Sequence, residues 1–210
     1  MARKPDYIVF TDGSTLYERD SAAPEASGYG VVVYNCSTRE FTQFGGELGD
    51  RTINFAELYA IDRAVRFMIN LADGERRNVL VLSDSKYSVD TYRGRYWSYR
   101  RRTVDGIWHT SMRSIVANQR LIKDTVHSIE SHRNVRFDFV HIYSHLTNGK
   151  YEKIISKLSD RGYSIDKETA LAIIDMNDKA DNEAGKHSRA VRRSIGQFIQ
   201  LKPTTRYFIR

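Results

Sequence analysis

The stretch that decides the fold is NVLVLSDSKYSVDTY, residues 78–92. Its apolar run VLVL has the length and composition of a buried strand, and Asp84 follows where that run ends. A second apolar run, YIVF at 7–10, is followed in the same way by Asp12. Because the ends of central strands in an α/β sheet gather beside helix N-termini, the two aspartates indicate a functional site at one sheet edge.

The order of elements around these runs predicts a mixed sheet. Strand-like segments at 28–35 and 40–48 follow the first strand through short links, which is typical of an antiparallel meander. A helix predicted over 55–71 then makes the next strand parallel to its partner, and 134–145 alternates like a fifth strand. We therefore expect an α/β fold with a five-stranded mixed sheet, its first three strands antiparallel and the rest parallel, flanked by helices.

Helical patterns account for most of the remaining chain. Thr52 or Asn54 could cap the first helix. The other patterns predict one short helix, one longer helix, one or two amphipathic helices and a last helix, at 85–92, 111–130, 150–176 and 177–195. The tail, 198–210, is expected to be extended.

Length and composition bound the class of protein. The 210 residues, 40% of them hydrophobic, fit one domain. The apolar runs are too short to cross a bilayer, so no membrane partner is expected. Cys36 is the only cysteine, which excludes an internal disulfide and favours an intracellular location: cytoplasm or nucleoid, or the host cytoplasm for a viral protein.

The net charge of +7 is unevenly distributed. Residues 93–123 and 186–210 each carry an excess of seven positive charges, which leaves the rest of the chain acidic. Two basic segments beside an acidic body are typical either of two solvated surfaces or of a polyanion held next to a carboxylate site.

Each candidate carboxylate has an ordinary explanation when taken alone. Asp12 with Gly13 fits a turn, Glu57 suits a helix start, Asp84 could cap a helix, and Asp181 could be a surface acid. Collected at one sheet edge, the four acids would repel one another unless a divalent cation lay among them. Oxygen ligands of this kind suit Mg²⁺ or Mn²⁺, and the six histidines show no zinc-ligand spacing.

The motifs FTDGS, TINFAEL, VLSDSKY, YSHLTN and NDKAD, in this order, resemble type 1 ribonuclease H. The resemblance covers residues 6–145 and about 176–190. It implies a two-metal endonuclease that cuts the RNA strand of an RNA/DNA hybrid and leaves 5′-phosphate and 3′-hydroxyl ends. It also implies that two Mg²⁺ ions, which Mn²⁺ could replace, are bound by Asp12, Glu57, Asp84 and Asp181. His145 would then assist the attacking water or product departure.

The same resemblance suggests a nucleic-acid surface. It implies RNA-strand contacts for Ser14 and Asn54 and a phosphate pocket at Thr52. The DNA-strand channel would include Trp108, Thr110 and Asn118. In YRGRYWSYRRR, 92–102, aromatic side chains alternate with arginines, which suits contact with sugars and phosphates. The candidates in this segment are Trp97, Arg100, Arg101 and Arg102, and core packing is an equal alternative for Trp97.

The sequence departs from the family pattern in several places. Ile53 and Phe55 replace more polar family residues, and Thr147 stands where the histidine loop usually has glycine. His145 and Asp181 are 36 residues apart, which indicates a helical insertion at 147–176. This insertion or the basic C-terminal extension, 190–210, could dock a partner protein. The final carboxylate is accordingly expected at Asp181, with Asp178 and then Asp175 as alternatives.

Two other functions stay open at this point. Ile53 and the insertion are compatible with a structure-specific DNA nuclease, such as a junction resolvase, on the same fold. A non-catalytic nucleic-acid-binding or assembly subunit is the third hypothesis. It is disfavoured because a scaffold gains nothing from keeping repelling carboxylates together.

Overall fold

The computed structural model describes residues 2–19, 22–143 and 151–200, with side chains through residue 195. The strands are β1 Tyr7–Tyr17, β2 Pro24–Asn35, β3 Phe41–Gly49, β4 Arg77–Ser83, β5 Thr103–Val104, β6 Ile107–Trp108 and β7 Val135–His141. The helices are α1 Ile53–Ala72, α2 Lys86–Asp90, α3 Tyr96–Arg100, α4 Gln119–Ser131, α5 Tyr151–Ser159 and α6 Lys167–Gln200. A wide helical turn, Thr91–Arg95, joins α2 to α3.

Five strands form the central sheet in the order β3-β2-β1-β4-β7. β1 pairs antiparallel with β2, and β2 pairs antiparallel with β3. β4 is parallel to both β1 and β7. The predicted mixed sheet is therefore confirmed, and the short β5–β6 hairpin is an addition that the sequence patterns did not indicate.

The two faces of the sheet support two separate hydrophobic cores. In β1, Val9 packs towards α1 and α4, whereas Ile8 and Phe10 pack towards α5 and α6. β4 alternates in the same way between Val81 and Leu82. This period of two is what a strand buried on both faces requires, and it fixes the register of the sheet.

Helix α1 begins where the sequence indicates. Thr52 is its N-cap, and the Thr52 side chain accepts a hydrogen bond from the Phe55 backbone N–H at 3.3 Å. Further along α1, the buried Asp62 carboxylate receives the Arg66 guanidinium at 2.9–3.0 Å and the Thr125 hydroxyl of α4 at 2.9 Å. These contacts hold α1 and α4 together on one face of the sheet.

The predicted helix over 111–130 is wrong in its first part, because α4 starts only at Gln119. Arg113 and Asn118 have φ angles of 62° and 58°, in the left-handed region that a helix cannot accommodate. The backbone of Val116 instead bonds to the Trp108 carbonyl at 2.9 Å. Contacts with the β5–β6 hairpin therefore override the helical pattern of this segment.

Helix α6 corrects a second expectation. The sequence predicts separate helices on either side of residue 176, but α6 runs without a break through Lys167–Gln200. The second half of the predicted insertion and the first part of the C-terminal extension therefore belong to one helix. Residues 144–150 and 201–210, which hold the start of the insertion and the rest of the tail, lie outside the described residues.

Glycines let α6 approach the sheet closely. A Cβ atom on Gly30 would lie 2.3 Å from the Ala180 carbonyl oxygen, and one on Gly28 would lie 2.7 Å from the Ala184 carbonyl oxygen. Both glycines belong to β2, and Gly30 pairs with Asp12 of β1. These close contacts therefore fix the distance between α6 and the sheet beside Asp12.

We expect Gly30→Ala to lower the free energy of unfolding by about 1–3 kcal/mol, because the added methyl group meets backbone rather than a movable side chain. Urea denaturation monitored by circular dichroism measures this change.

Gly185→Ala is the matched control. A Cβ atom there meets only the Arg189 side chain, so the higher helix propensity of alanine should leave stability unchanged or raise it by about 0.5–1 kcal/mol. Equal stability of Gly30→Ala and the wild type would contradict the close approach of α6.

Candidate active site

Three of the predicted carboxylates meet at one edge of the sheet. β1 and β4 are parallel neighbours with Thr11 opposite Ser83, so the residues that follow, Asp12 and Asp84, lie side by side. Glu57 enters from the first turns of α1. Oxygen atoms of these three carboxylates all lie within 4.8 Å of one another.

Gly13 allows α1 to approach β1 this closely. A Cβ atom on Gly13 would lie 2.5 Å from the Glu57 backbone nitrogen and 2.7 Å from the Ala56 carbonyl carbon. Asp12 followed by glycine, which alone suggests a turn, is here an uninterrupted strand segment against which a helix packs. The glycine therefore serves close packing between elements, and this packing brings Glu57 to Asp12.

Helix α6 supplies the fourth side of a cavity of about 320 Å³. The cavity is lined by Asp12, Gly13, Glu57, Asp84, Asn177, Asp178 and Asp181. The negative charge of Asp181 contributes to the raised pKa of Asp12. Asp175 does not line the cavity and pairs with Lys179.

The cavity strongly perturbs its acids. Burial, followed by the charges of Asp84 and Asp181, raises the pKa of Asp12 from its ordinary value of 3.8 to about 7. A hydrogen bond from the Gly13 N–H, 2.8 Å from Asp12 Oδ1, partly opposes this rise. Burial and the neighbouring Asp12 and Asp84 raise the pKa of Glu57 well above its ordinary value.

One oxygen of this cluster has no hydrogen-bond partner in the described part of the chain. Glu57 is 7% exposed, and its Oε2 atom is buried without a hydrogen bond from any described residue. An orphaned carboxylate oxygen among other carboxylates is costly unless a cation lies against it. The donor set, made only of carboxylate oxygens, suits a hard divalent metal ion.

The predicted catalytic histidine, His145, lies outside the described residues. Another histidine that the sequence analysis missed does contact the site. His141 ends β7 opposite Ser83 of β4, and its Nε2 atom lies 3.0 Å from the Asp84 backbone carbonyl oxygen. Once the sheet order is known, the pairing of His141 with Ser83, the last residue of β4, identifies His141 as a neighbour of Asp84.

The predicted RNA-strand residues lie near the start of α1 and the end of β1. The Ser14 hydroxyl lies 3.0 Å from the Ser188 hydroxyl of α6. Thr52 is committed to capping α1, and Asn54 is exposed beside it. The Arg51 guanidinium lies over the Phe55 ring at 5.3 Å, so the substituted position Phe55 supports a cation at this rim.

The predicted arginines separate into two groups. Arg100 forms a paired ion bridge to Glu130, with both nitrogen–oxygen distances at 3.0 Å, and its guanidinium lies 4.7 Å from the centroid of the Trp97 ring. Arg101 and Arg102 are exposed and line a groove of about 510 Å³ that also includes Thr110.

The two tryptophans differ in their exposure to solvent. Trp97 is 48% exposed, whereas Trp108 is 5% exposed and packs against Tyr99 in the core. The ring of Trp108 therefore exposes little surface in this structure, and its place in a DNA-strand channel stays a prediction. Asn118 has a left-handed backbone conformation and stands immediately before α4.

Comparisons with known proteins agree with this architecture. Residues 4–163 match the family model described as RNase H. A ribonuclease H of Tropheryma whipplei is 30% identical over 139 residues, which cover 66% of this chain and 74% of the relative.

Two solved structures share the fold. The PFV RNase H domain has a TM-score of 0.62 and 18% identity, over 90% of this chain and 97% of that domain. LC11-RNase H1, solved in complex with an RNA/DNA hybrid, has a TM-score of 0.53 and 18% identity, over 89% of this chain and 99% of its own.

The family match ends before α6, so the placement of Asp181 depends on the fold and not on the matched segment. In the described part of the chain, no helix combines the length and apolar character needed to cross a membrane. The match over 4–163, together with the shared fold, identifies the chain as a member of the ribonuclease H family and as a ribonuclease H.

Proposed function

We propose that the protein is a Mg²⁺-dependent endoribonuclease that hydrolyses the RNA strand of RNA/DNA hybrids, leaving 5′-phosphate and 3′-hydroxyl ends. The observation that carries this proposal is the convergence of Asp12, Glu57 and Asp84, with oxygen atoms within 4.8 Å of one another. Family membership and the hybrid bound to the similar LC11-RNase H1 support the class of substrate.

The metal ligands in this proposal are Asp12, Glu57, Asp84 and Asp181. Asp181 is preferred to Asp178 because its charge is among the causes of the raised Asp12 pKa and because Asn177 with Ala180-Asp181 keeps the family spacing. When bound, two Mg²⁺ ions would supply an activated water and stabilise the leaving oxygen. Mn²⁺ has the same ligand preference and could replace Mg²⁺.

The side chains of the cavity would prepare it for this chemistry. Carboxylates with raised pKa values hold protons near neutral pH, and a binding cation must displace them, which couples metal binding to proton release. His141 would position Asp84 through the backbone carbonyl that it contacts. His145 would assist the attacking water or the departure of the product.

Recognition of the hybrid would involve both rims of the cavity. Ser14 and Asn54 would contact the RNA strand, where a 2′-hydroxyl distinguishes RNA from DNA. Thr52 would form a phosphate pocket, and Trp108, Thr110 and Asn118 would contribute on the DNA-strand side. Trp97 with its neighbouring arginines would contact sugars and phosphates, with Arg101 and Arg102 the most available because Arg100 already pairs with Glu130.

We expect Asp84→Asn to reduce Mg²⁺-dependent cleavage of a labelled RNA/DNA hybrid by more than about 100-fold, because it removes a carboxylate from the cluster. Hybrid affinity should be unchanged or slightly higher, since one negative charge is lost. Asp124→Asn makes the same change at an exposed site on α4 and should cleave normally. Cleavage by Asp84→Asn at the wild-type rate would reject the proposal.

Metal-free stability should depend on pH through Asp12. Its pKa is raised on folding, from 3.8 to about 7, so folding favours its protonated form. The free energy of unfolding therefore falls as pH rises through this window, at most by about 4 kcal/mol from this group. Asp12→Asn should remove this loss and raise the melting temperature in EDTA, with the greater gain on the alkaline side.

Added Mg²⁺ should stabilise the wild type more above pH 7 than below it, since protons compete for the same oxygens. Thermal melts with Mg²⁺ or EDTA across this range measure the effect. A shift that is independent of pH, or one that persists in Asp12→Asn at full size, would contradict metal binding at this cluster.

Combined Arg101→Ala and Arg102→Ala should weaken hybrid binding and flatten its dependence on salt. Each lost phosphate contact reduces the slope of log affinity against log salt concentration by about 0.9. Fluorescence anisotropy titrations measure the slope. Arg76→Ala with Arg133→Ala removes the same charge at the opposite edge of the sheet and should change the slope less; equal slopes for both pairs would exclude a contact at 101–102.

A further inference from the structure

We propose that Lys157 of α5 binds a backbone phosphate of the nucleic acid on the β7 side of the carboxylate cavity. The inference rests on the proposed function, because it adds a substrate contact to the same site. It also gives the predicted insertion, 147–176, a specific role in holding substrate.

Packing of α5 against the sheet determines where Lys157 lies. Ile154 and Leu158 of α5 are buried in the core on the α6 face of the sheet, together with Val140 and Ile142 at the end of β7. Lys157 precedes Leu158 and is only partly exposed. The helix therefore holds this side chain at the end of β7, where the cavity edge begins.

A chain of contacts joins Lys157 to the cavity. The Lys157 ammonium lies 4.1 Å from the centroid of the Tyr143 ring. The Tyr143 ring meets His141 edge-on, with centroids 5.4 Å apart, and His141 lies 3.0 Å from the Asp84 carbonyl oxygen. The ammonium thus flanks the acidic cavity, separated from Asp84 by two ring systems.

The charge of Lys157 has no carboxylate partner among the described residues. Within the described residues, no carboxylate lies within ion-pair distance of Lys157, whereas Lys86 pairs with Asp90 and Lys186 pairs with Glu183. Arg161, in the turn just after α5, adds a second positive charge, and burial together with Arg161 lowers the pKa of Lys157. An ammonium held in this way gains by meeting an external anion.

A phosphate is the anion that this position favours. A nucleic-acid backbone that crosses the cavity carries phosphates past both rims, and a lysine ammonium binds phosphate as a point charge. Tyr143 is largely exposed, so its ring could direct the ammonium outward while leaving it accessible to the backbone. The cation–π contact makes Tyr143 a positioning residue for Lys157.

The test compares Lys157→Ala, Lys157→Arg and a control, Lys4→Ala. Lys4 is exposed just before β1, at the sheet edge opposite the cavity. Affinity for a fluorescent RNA/DNA hybrid is measured by anisotropy over a range of salt concentrations, with Ca²⁺ in place of Mg²⁺ to limit cleavage. The same titrations use duplex DNA.

We expect Lys157→Ala to weaken hybrid binding by about threefold to tenfold at low salt and to reduce the salt slope by about 0.9. Lys157→Arg keeps the charge and should retain the wild-type slope. Lys4→Ala should behave like the wild type. A slope for Lys157→Ala equal to that of the wild type or of Lys4→Ala would overturn the inference.

A folding effect is separated by thermal melts. If Lys157→Ala melts early, Lys157→Gln decides, because it keeps most of the aliphatic stem and removes the charge: a slope reduced by about 0.9 supports the phosphate contact, and a wild-type slope rejects it. Failure of the proposed function is distinguishable, because it appears as uncut hybrid in Mg²⁺. The Lys157 contact is then judged from the slopes for duplex DNA.

Discussion

Mutual repulsion among Asp12, Glu57 and Asp84 is the constraint on which the rest of the site depends. Two of these acids are largely buried, and their pKa values are raised because burial and neighbouring charges both oppose ionisation. Such a cluster forms only if the surrounding packing outweighs the repulsion. The two hydrophobic cores supply that packing, and they anchor β1, β4 and α1, the elements that carry the acids or lead into them.

Close contact between elements converts this packing into geometry. Gly13 lets α1 rest on β1, and Gly30 lets α6 rest on β2 next to Asp12. The cavity walls are therefore set by backbone contacts, which do not adjust as flexible side chains do. A metal ion would meet ligands already in place, so little conformational entropy would be lost on binding.

Much of the fold followed from local patterns. The apolar runs of β1 and β4 and a cap at Thr52 or Asn54 were visible in the sequence, since each depends on residues close together in the chain. The approach of the acids to one edge followed instead from the rule that strand ends and helix N-termini gather there. The start of α4 was not, because Val116 before it bonds to Trp108 of the β5–β6 hairpin, and Arg113 and Asn118 take left-handed conformations. Nor was the burial of Trp108, since it depends on packing against Tyr99, a residue of another element.

Helix α6 has a mechanical consequence. Its 34 residues form an unbroken rod, about 50 Å long at the usual helical rise. Asp178 and Asp181 lie in its first half, and the contacts with Gly28 and Gly30 clamp it near that point. Because α6 has no break on either side of Asp178 and Asp181, a displacement of either end is transmitted along one continuous helix to these acids. Two separate helices would absorb it at the joint between them.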